Sequence, residues 1–328
     1  MEAIPVIHFG LGPIGQAIGQ TAVDEPRLIS VGAVDIDPHL QHHKLHEICD
    51  AELPELPIVG SLADVQAPEG AVVLQATVSK LNQARDQLIE AIARGYNVVS
   101  TCEELVWPWD DQPDLARELD EAAKKAGVTI LGVGINPGMV MDTLPALIAR
   151  ITSGVDAAYV GRYVDVLERR IPLQEKMGLG KAPAWVQAQL DLGQIGHVGL
   201  GASLQMLAAG LGWTLDVISI ESKPIVATEP MDSGVGWIEP GQCIGIRQKA
   251  EGLIAGVPCI TLELIMEAGV EGGSRDEIII DGDQSLHMHL KGVHGDKATA
   301  ALIVNQALHV QQMSAGLQTM LSAPLLPR

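Results

Sequence analysis

The stretch GLGPIG at Gly10–Gly15 constrains the fold more than any other part of the 328-residue chain. It follows a short apolar run, Ile4–Phe9, and opens a helical pattern over Gly15–Val23. In a strand–turn–helix of this kind the first glycine permits the tight turn. The second lets a pyrophosphate approach the backbone, and the third lets helix and strand pack closely. The helix start then offers unpaired N–H groups to phosphate oxygens. An acid, Asp35, closes the next strand pattern, Leu28–Val34, 20 residues beyond Gly15. An acid there accepts hydrogen bonds from ribose hydroxyls and repels a 2′-phosphate. Gly10, Leu11, Gly12, Pro13, Ile14, Gly15, Asp35 and Ile36 are therefore the expected holders of a dinucleotide. NAD is expected first, with NADP as the alternative, because Asp37, His39, His42, His43 and Lys44 follow closely.

Strand and helix patterns alternate beyond that turn: Ala71–Ala76, Leu81–Arg94, Asn97–Ser100, Leu115–Ala126 and Val128–Val133. Such alternation predicts a parallel sheet wound on both faces. The expected fold is α/β, with an N-terminal Rossmann dinucleotide-binding domain over residues 1–140. After about residue 155 the pattern changes. Ala157–Leu167, Leu215–Thr228, Gln242–Glu251, Val257–Glu267 and Ile278–Lys291 read as strands, several joined by hairpin-like turns. This predicts an α+β second domain with a mostly antiparallel sheet over residues 141–296. A Gly- and Ala-rich helical stretch lies near residues 196–210. Residues 297–328 read as a helical segment, Lys297–Leu321, returning to the first domain because an apolar helix needs cover.

Composition narrows the function classes. The net charge of −20 disfavours nucleic-acid and anionic-membrane partners. Aromatic residues make up only 3%, too few for a base-stacking platform. Cys49, Cys102, Cys243 and Cys259 lie far apart with no CxxC spacing, which disfavours a zinc ribbon or a disulfide framework. The histidine-rich HLQHHKLHE reads as a solvated face rather than a metal site, so no metal is expected. The start, MEAIPVIHFG, has no secretory pattern, and no apolar stretch of about 18 residues follows; a cytoplasmic protein is expected.

In a doubly wound sheet the ligand lies outside the C-terminal strand ends. Those ends read QATVSKL, STCEEL and GVGINPGMVMD. Thr77, Ser79, Thr101, Cys102, Asn136, Pro137 and Gly138 are expected along the cofactor. Glu103 and Glu104 are the expected acid/base pair, with one of the two facing the substrate. A carboxylate whose pKa is raised by burial serves as base and acid near neutrality. Met139, Arg162, Tyr163, Arg169, Gln174 and His197 are the expected substrate-side residues. Arg169 and Arg170 also read as surface or interface charges. Trp107, Met139, Met177 and Trp185 read as the lining of an apolar pocket, with core packing an equal reading for the two methionines.

Taken together, GLGPIG, VGAVDIDP, STCEEL, GVGINPGMVMDTLP, ERRIPLQEKMG and GHVGLGAS resemble the native amine dehydrogenase and 2,4-diaminopentanoate dehydrogenase group. That group lies within the broader dihydrodipicolinate-reductase-like set. The resemblance spans nearly the whole chain, including a C-terminal segment with Asn305. It implies an NAD(P)-dependent oxidoreductase acting at a C–N bond, converting a small carbonyl compound and ammonia to a primary amine and back. It implies that a glutamate of STCEEL, Glu103 or Glu104 here, carries the acid/base role. It also implies a homodimer in which the second domain completes the substrate pocket. A dehydrogenase of 2,4-diaminopentanoate or a related amino acid is the alternative, with an arginine on the substrate carboxylate. A catalytically silent dinucleotide-binding protein is disfavoured by the acids of STCEEL. True dihydrodipicolinate reductases match less well: HHK occurs only at His42–Lys44 and no PSGT turn is present.

Overall fold

A computed structural model describes residues 3–168, 174, 177–234 and 236–324. In chain order the first elements are β1 (Ile4–Phe9), α1 (Pro13–Ala22), β2 (Leu28–Val34), α2 (Leu45–Cys49), β3 (Ile58–Val59) and β4 (Val72–Gln75). Next come α3 (Leu81–Ala93), β5 (Asn97–Ser100), α4 (Pro113–Ala126), β6 (Thr129–Gly132), α5 (Thr143–Ile148) and β7 (Val155–Asp165). Then follow α6 (Pro183–Asp191), α7 (Leu200–Leu211), β8 (Val217–Val226), β9 (Met231–Asp232), β10 (Trp237–Ile238) and β11 (Cys243–Ile254). The last are β12 (Val257–Glu267), β13 (Arg275–Gly282), β14 (Leu286–Lys291), α8 (Gly295–Ala307) and β15 (Gly316–Gln318). The chain divides into two units, one holding the sequence up to Met139 and from His294 onward, the other Val140–Val293.

The first unit is built on a parallel sheet in the order β15-β6-β5-β4-β1-β2-β3. Strands β4, β5 and β6 are buried along their whole length, which is why AVVLQA and NVVS read as continuous apolar runs. The order reverses at β1, so the crevice between the ends of β1 and β4 is the topological switch point. The glycine turn lies there, directly after β1. Helices α3 and α4 pack on each other, as do α1 and α8. The core between sheet and helices includes Ile7, Phe9, Val73, Leu88, Val98, Leu119 and Ile130.

The C-terminal segment differs from the single long helix expected over Lys297–Leu321. Helix α8 ends at Ala307, and residues Gly316–Gln318 form β15, parallel to β6. Three residues are too few to show a strand pattern. What fixes the strand is tertiary: Leu317 N–H donates to Asp120 Oδ1 at 3.0 Å, and Thr129 Oγ1 donates to the Ser314 carbonyl at 3.1 Å.

The second unit carries a six-stranded sheet, β14-β13-β7-β12-β11-β8. It is mixed, which corrects the mostly antiparallel sheet expected. The hairpin pairs are antiparallel, but the central strands β7 and β12 run parallel, Ala158 opposite Ile260 through Asp165 opposite Glu267. A strand and its parallel neighbour need a long crossover. Here α6, α7 and four strands lie between them in the sequence, and pairing across such a distance leaves no local mark. One face of this sheet packs on α7, whose Leu204, Met206 and Leu207 are fully buried.

Candidate active site

The glycine turn is held by its own backbone. Gly10 has φ +90°, and a Cβ there would lie 2.5 Å from the Ala76 carbonyl and 2.8 Å from Thr77 Cγ2. A Cβ on Gly15 would overlap the Gly10 carbonyl. Gly12 instead faces open space, and no side chain caps the N-terminus of α1. Uncapped helix N–H groups above an open glycine form a cradle for a phosphate. Leu11 N–H donates to Asp35 Oδ2 at 2.6 Å and Asp37 N–H donates to Asp35 Oδ1 at 2.9 Å. Asp35 is thereby fixed at the end of β2 with lone pairs left to accept. Ile36 beside it is 75% exposed, an apolar surface open to a ring. These residues fit a dinucleotide. His39, His42, His43 and Lys44 are exposed, and Lys44 pairs with Glu55.

The acidic pair follows β5 in a short 3-10 turn, Glu103–Leu105. Gly132, at the end of β6, makes room for it, since a Cβ there would lie 2.8 Å from the Leu105 carbonyl. The two acids are not equivalent. Glu104 Oε2 accepts from Leu81 N–H at 2.8 Å and from Gln112 Nε2 at 2.8 Å. Its backbone N–H donates to the Ser79 carbonyl at 3.1 Å. Glu104 is thus the N-terminal cap of α3. Glu103 is half-buried on the same turn. Cys102 is 2% exposed; its thiol donates to the Ser79 carbonyl at 3.3 Å, and burial pushes it up to about 12. It serves as packing rather than as a nucleophile.

Sequence reasoning missed the buried polar chain beneath these turns. Gln75, in the apolar run of β4, is 1% exposed, and Ser100 at the end of β5 is fully buried. Ser100 Oγ donates to Gln75 Oε1 at 2.7 Å, and Gln75 Nε2 donates to Gln87 Oε1 at 2.7 Å. Thr77 Oγ1 donates to the same Gln87 oxygen at 2.7 Å. A glutamine inside a buried strand is the one signal that could have exposed this network. Thr101 N–H donates to the Gln75 carbonyl at 2.9 Å, while Ser79 is exposed. The turn after β6 is equally tight. Gly138 has φ +124°, and a Cβ there would lie 2.7 Å from the backbone of Gly134. Pro137 is buried, Asn136 and Met139 half-buried.

The expected substrate-side residues are not all brought together. Arg162 is 5% exposed, and its Nη1 lies 2.6 Å from Asp276 Oδ1 on the neighbouring strand. Its Nη2 donates to the Val293 carbonyl at 3.3 Å. The guanidinium is committed inside the unit, so the substrate role expected for Arg162 is replaced by a structural one. Tyr163, its neighbour on β7, points to the opposite face of the sheet. There its hydroxyl lies 3.1 Å from that of Tyr159, and Arg275 sits 3.9 Å above its ring. One pocket wall cannot use both. His197 lies in a glycine-bounded loop with Gly196 and Gly199 both at φ +99°. Gln248 pins it there: His197 N–H donates to Gln248 Oε1 at 2.7 Å, and Gln248 Nε2 donates back to the His197 carbonyl at 3.3 Å. Gln174 and Met177 are buried, and Trp185 is exposed. Trp107 Nε1 donates to Asp110 at 2.7 Å. Arg169, with Arg170, lies outside the described residues.

The chain is similar to known proteins over nearly its whole length. The profile of the 2,4-diaminopentanoate dehydrogenase C-terminal domain matches residues 139–327. The chain is 31% identical over 336 aligned positions to 2,4-diaminopentanoate dehydrogenase from Acetoanaerobium sticklandii, covering 99% of this chain and 94% of that one. Its fold is similar to that of an amine dehydrogenase from Mycobacterium smegmatis, with a TM-score of 0.82 at 22% identity over 99% and 97% of the two chains. It is also similar to the WlbA dehydrogenase from Thermus thermophilus, solved with NAD and UDP-GlcNAcA. There the TM-score is 0.54 at 14% identity, over 99% and 100% of the chains.

Proposed function

The chain belongs to the 2,4-diaminopentanoate dehydrogenase family of NAD(P)-dependent oxidoreductases, and on that footing we propose that it interconverts small ketones or aldehydes plus ammonia with primary amines. The observation that carries this reading is the division of labour in STCEEL. Glu104 caps α3, and Glu103, half-buried on the same turn, is assigned the proton chemistry at the end of β5. In this proposal the dinucleotide is held by Gly10–Gly15, Asp35 and Ile36, and along its nicotinamide half by Thr77, Ser79, Thr101, Cys102 and Asn136–Gly138. When bound, the nicotinamide supplies hydride in the reductive direction and takes it in the oxidative one. NAD is favoured over NADP, because a 2′-phosphate would bring negative charge against the fixed Asp35 carboxylate.

The proton chemistry is assigned to Glu103. Its carboxylate takes a proton from ammonium, and the resulting ammonia attacks the carbonyl carbon. The protonated carboxyl then gives that proton to the carbinolamine hydroxyl, which leaves as water and generates an iminium. The carboxylate, negative again, stabilises the iminium charge next to it. Met139, Gln174 and His197 are the substrate-side residues retained. Arg169 is retained for a substrate that carries a carboxylate.

A homodimer forms part of the reading. The face of the second unit's sheet opposite α7 carries Tyr159, Tyr163, Arg275 and the Arg247–Glu263 pair. Both charge signs sit there on a chain that is strongly acidic overall, so a second copy can meet it with matched charges. A cytoplasmic location without nucleic-acid or membrane partners is consistent with the net charge of −20. Among the described residues no helix is long and apolar enough to cross a membrane.

A second reading is favoured by the 31% identity to 2,4-diaminopentanoate dehydrogenase: oxidation of that diamino acid or a related one. A panel of cyclohexanone, short aldehydes and 2-oxo or 4-oxo acids, with ammonium and either NADH or NADPH, decides. Ammonium-dependent NADH oxidation with the neutral carbonyl compounds is expected. A strict need for a substrate carboxylate selects the second reading, and no turnover on any member ends both.

A further inference from the structure

We propose that Gln87 on α3 is a positioning residue that fixes the Thr77 hydroxyl as a hydrogen-bond acceptor toward the nicotinamide half of the dinucleotide. The inference rests on the reading above and goes beyond it in naming what Thr77 recognises.

The direction of every link in the buried chain follows from one end. Cys102 N–H donates to Ser100 Oγ at 3.1 Å. The Ser100 hydroxyl proton has Gln75 Oε1, at 2.7 Å, as its acceptor. That orients the Gln75 amide, so its Nε2 donates to Gln87 Oε1 at 2.7 Å. With an oxygen of Gln87 at this junction, the Thr77 hydroxyl can meet it only as a donor, at 2.7 Å. Gln75 and Ser100 are 1% and 0% exposed, so water cannot relieve a reversed link, and a reversed link would leave two buried like groups facing each other.

The Thr77 hydroxyl has one proton, and Gln87 holds it. What remains toward the crevice is lone pairs. Thr77 lies against the glycine turn, since a Cβ on Gly10 would come within 2.8 Å of its Cγ2. An acceptor at that place suits a donor on the ligand, such as a ribose hydroxyl or the carboxamide N–H. It does not suit a phosphate oxygen, which is itself an acceptor. The same chain joins this turn to Cys102, the residue before Glu103, so the ligand-facing hydroxyl and the acidic turn are set by one relay.

Gln87 uses only its oxygen in the relay, and its side chain is half-buried. Glutamate at this position keeps both acceptor contacts, whereas methionine or leucine removes them at similar size. The test is NADH titration by fluorescence, with kcat and KM for NADH, on the wild type, Gln87→Met, Gln87→Leu, Gln87→Glu, Thr77→Val, Thr77→Ser and the Gln87→Met/Thr77→Val double variant. Gln87→Met and Thr77→Val are each expected to weaken NADH binding about five- to tenfold. The double variant is expected to be no weaker than Thr77→Val by more than about twofold, because both changes act on the same Thr77 hydroxyl contact. Gln87→Glu and Thr77→Ser are expected to recover most of the affinity. A structural role alone would lower thermal stability and leave the affinity of the folded enzyme unchanged. Wild-type affinity in Gln87→Met or Gln87→Leu, additive losses in the double variant, or failure of Gln87→Glu to recover would each overturn the proposal. A wild type that binds neither NADH nor NADPH removes the functional reading itself, and the relay proposal with it.

Discussion

Leu81 N–H donates to Glu104 Oε2 at 2.8 Å, so the second acid of STCEEL belongs to the helix that follows β4. Gln112 donates to the same oxygen. In the proposed reading Glu103 carries the proton chemistry, and the two positions are expected to respond differently to substitution.

In the proposed mechanism Glu103→Gln removes the proton carrier and keeps the shape of the turn. Turnover is expected to fall by ~10²–10⁴ with NADH binding intact. Glu104→Ala removes a cap and is expected to cost about 1–2 kcal/mol of stability, with a much smaller effect on turnover once folded. Steady-state kinetics and thermal melts on both variants check the assignment. A dead Glu104→Ala beside a fully active Glu103→Gln would reverse it.

Asp35 braces the glycine turn through Leu11 and, in the proposed reading, meets the ribose hydroxyls. Asp35→Ser is expected to weaken NADH binding about tenfold or more and to shift the NADH/NADPH preference toward NADPH. Parallel titrations with the two dinucleotides measure the ratio. An unchanged ratio would remove Asp35 from the ribose site.

His8 on β1 is 1% exposed, lies 2.9 Å from Ser30 Oγ, and burial holds its pKa down to about 4. The folded value lies below the unfolded one, near 6.5, so the unfolded chain binds the proton first. The stability this group contributes is complete above about pH 6.5 and is lost as pH falls toward 4, by roughly 3 kcal/mol in all. His8→Gln is expected to flatten that acid limb. Denaturant melts between pH 4 and 7 on both proteins report it, and identical slopes would exclude His8 as the source.

Arg162 and Asp276 form a pair shut inside the second unit. Removing one partner leaves a buried charge, so Arg162→Met alone is expected to cost about 3–5 kcal/mol. Arg162→Met with Asp276→Leu is expected to recover most of it. Loss of substrate affinity in Arg162→Met at unchanged stability would return this arginine to the substrate site.

Much of the first unit was legible because its signals are local. GLGPIG, Asp35 and the buried strand runs each follow from a few adjacent residues, and the structure places the glycine turn at the switch point of a parallel sheet. The second sheet was less legible. Its hairpins could be read, but the parallel contact of β7 with β12 joins residues about a hundred positions apart. The same limit applied at the site. STCEEL pointed to a pair of acids, yet what separates them is Leu81 and Gln112, on other elements. Arg162 looked available because its partner Asp276 lies on another strand, and Gln87 gave no sign at all, since a helical glutamine is ordinarily a surface residue.

Strand β15 carries a consequence for how the protein comes into being. The parallel sheet of the first unit takes its outermost strand, and helix α8, from sequence that follows the entire second unit. During synthesis the glycine turn and the acidic turn emerge before the second unit, but the layer that flanks β6 does not exist until the whole second unit has been made. The second unit has all its strands by Lys291 and is free to fold first, while the earlier-made half waits for its closing piece.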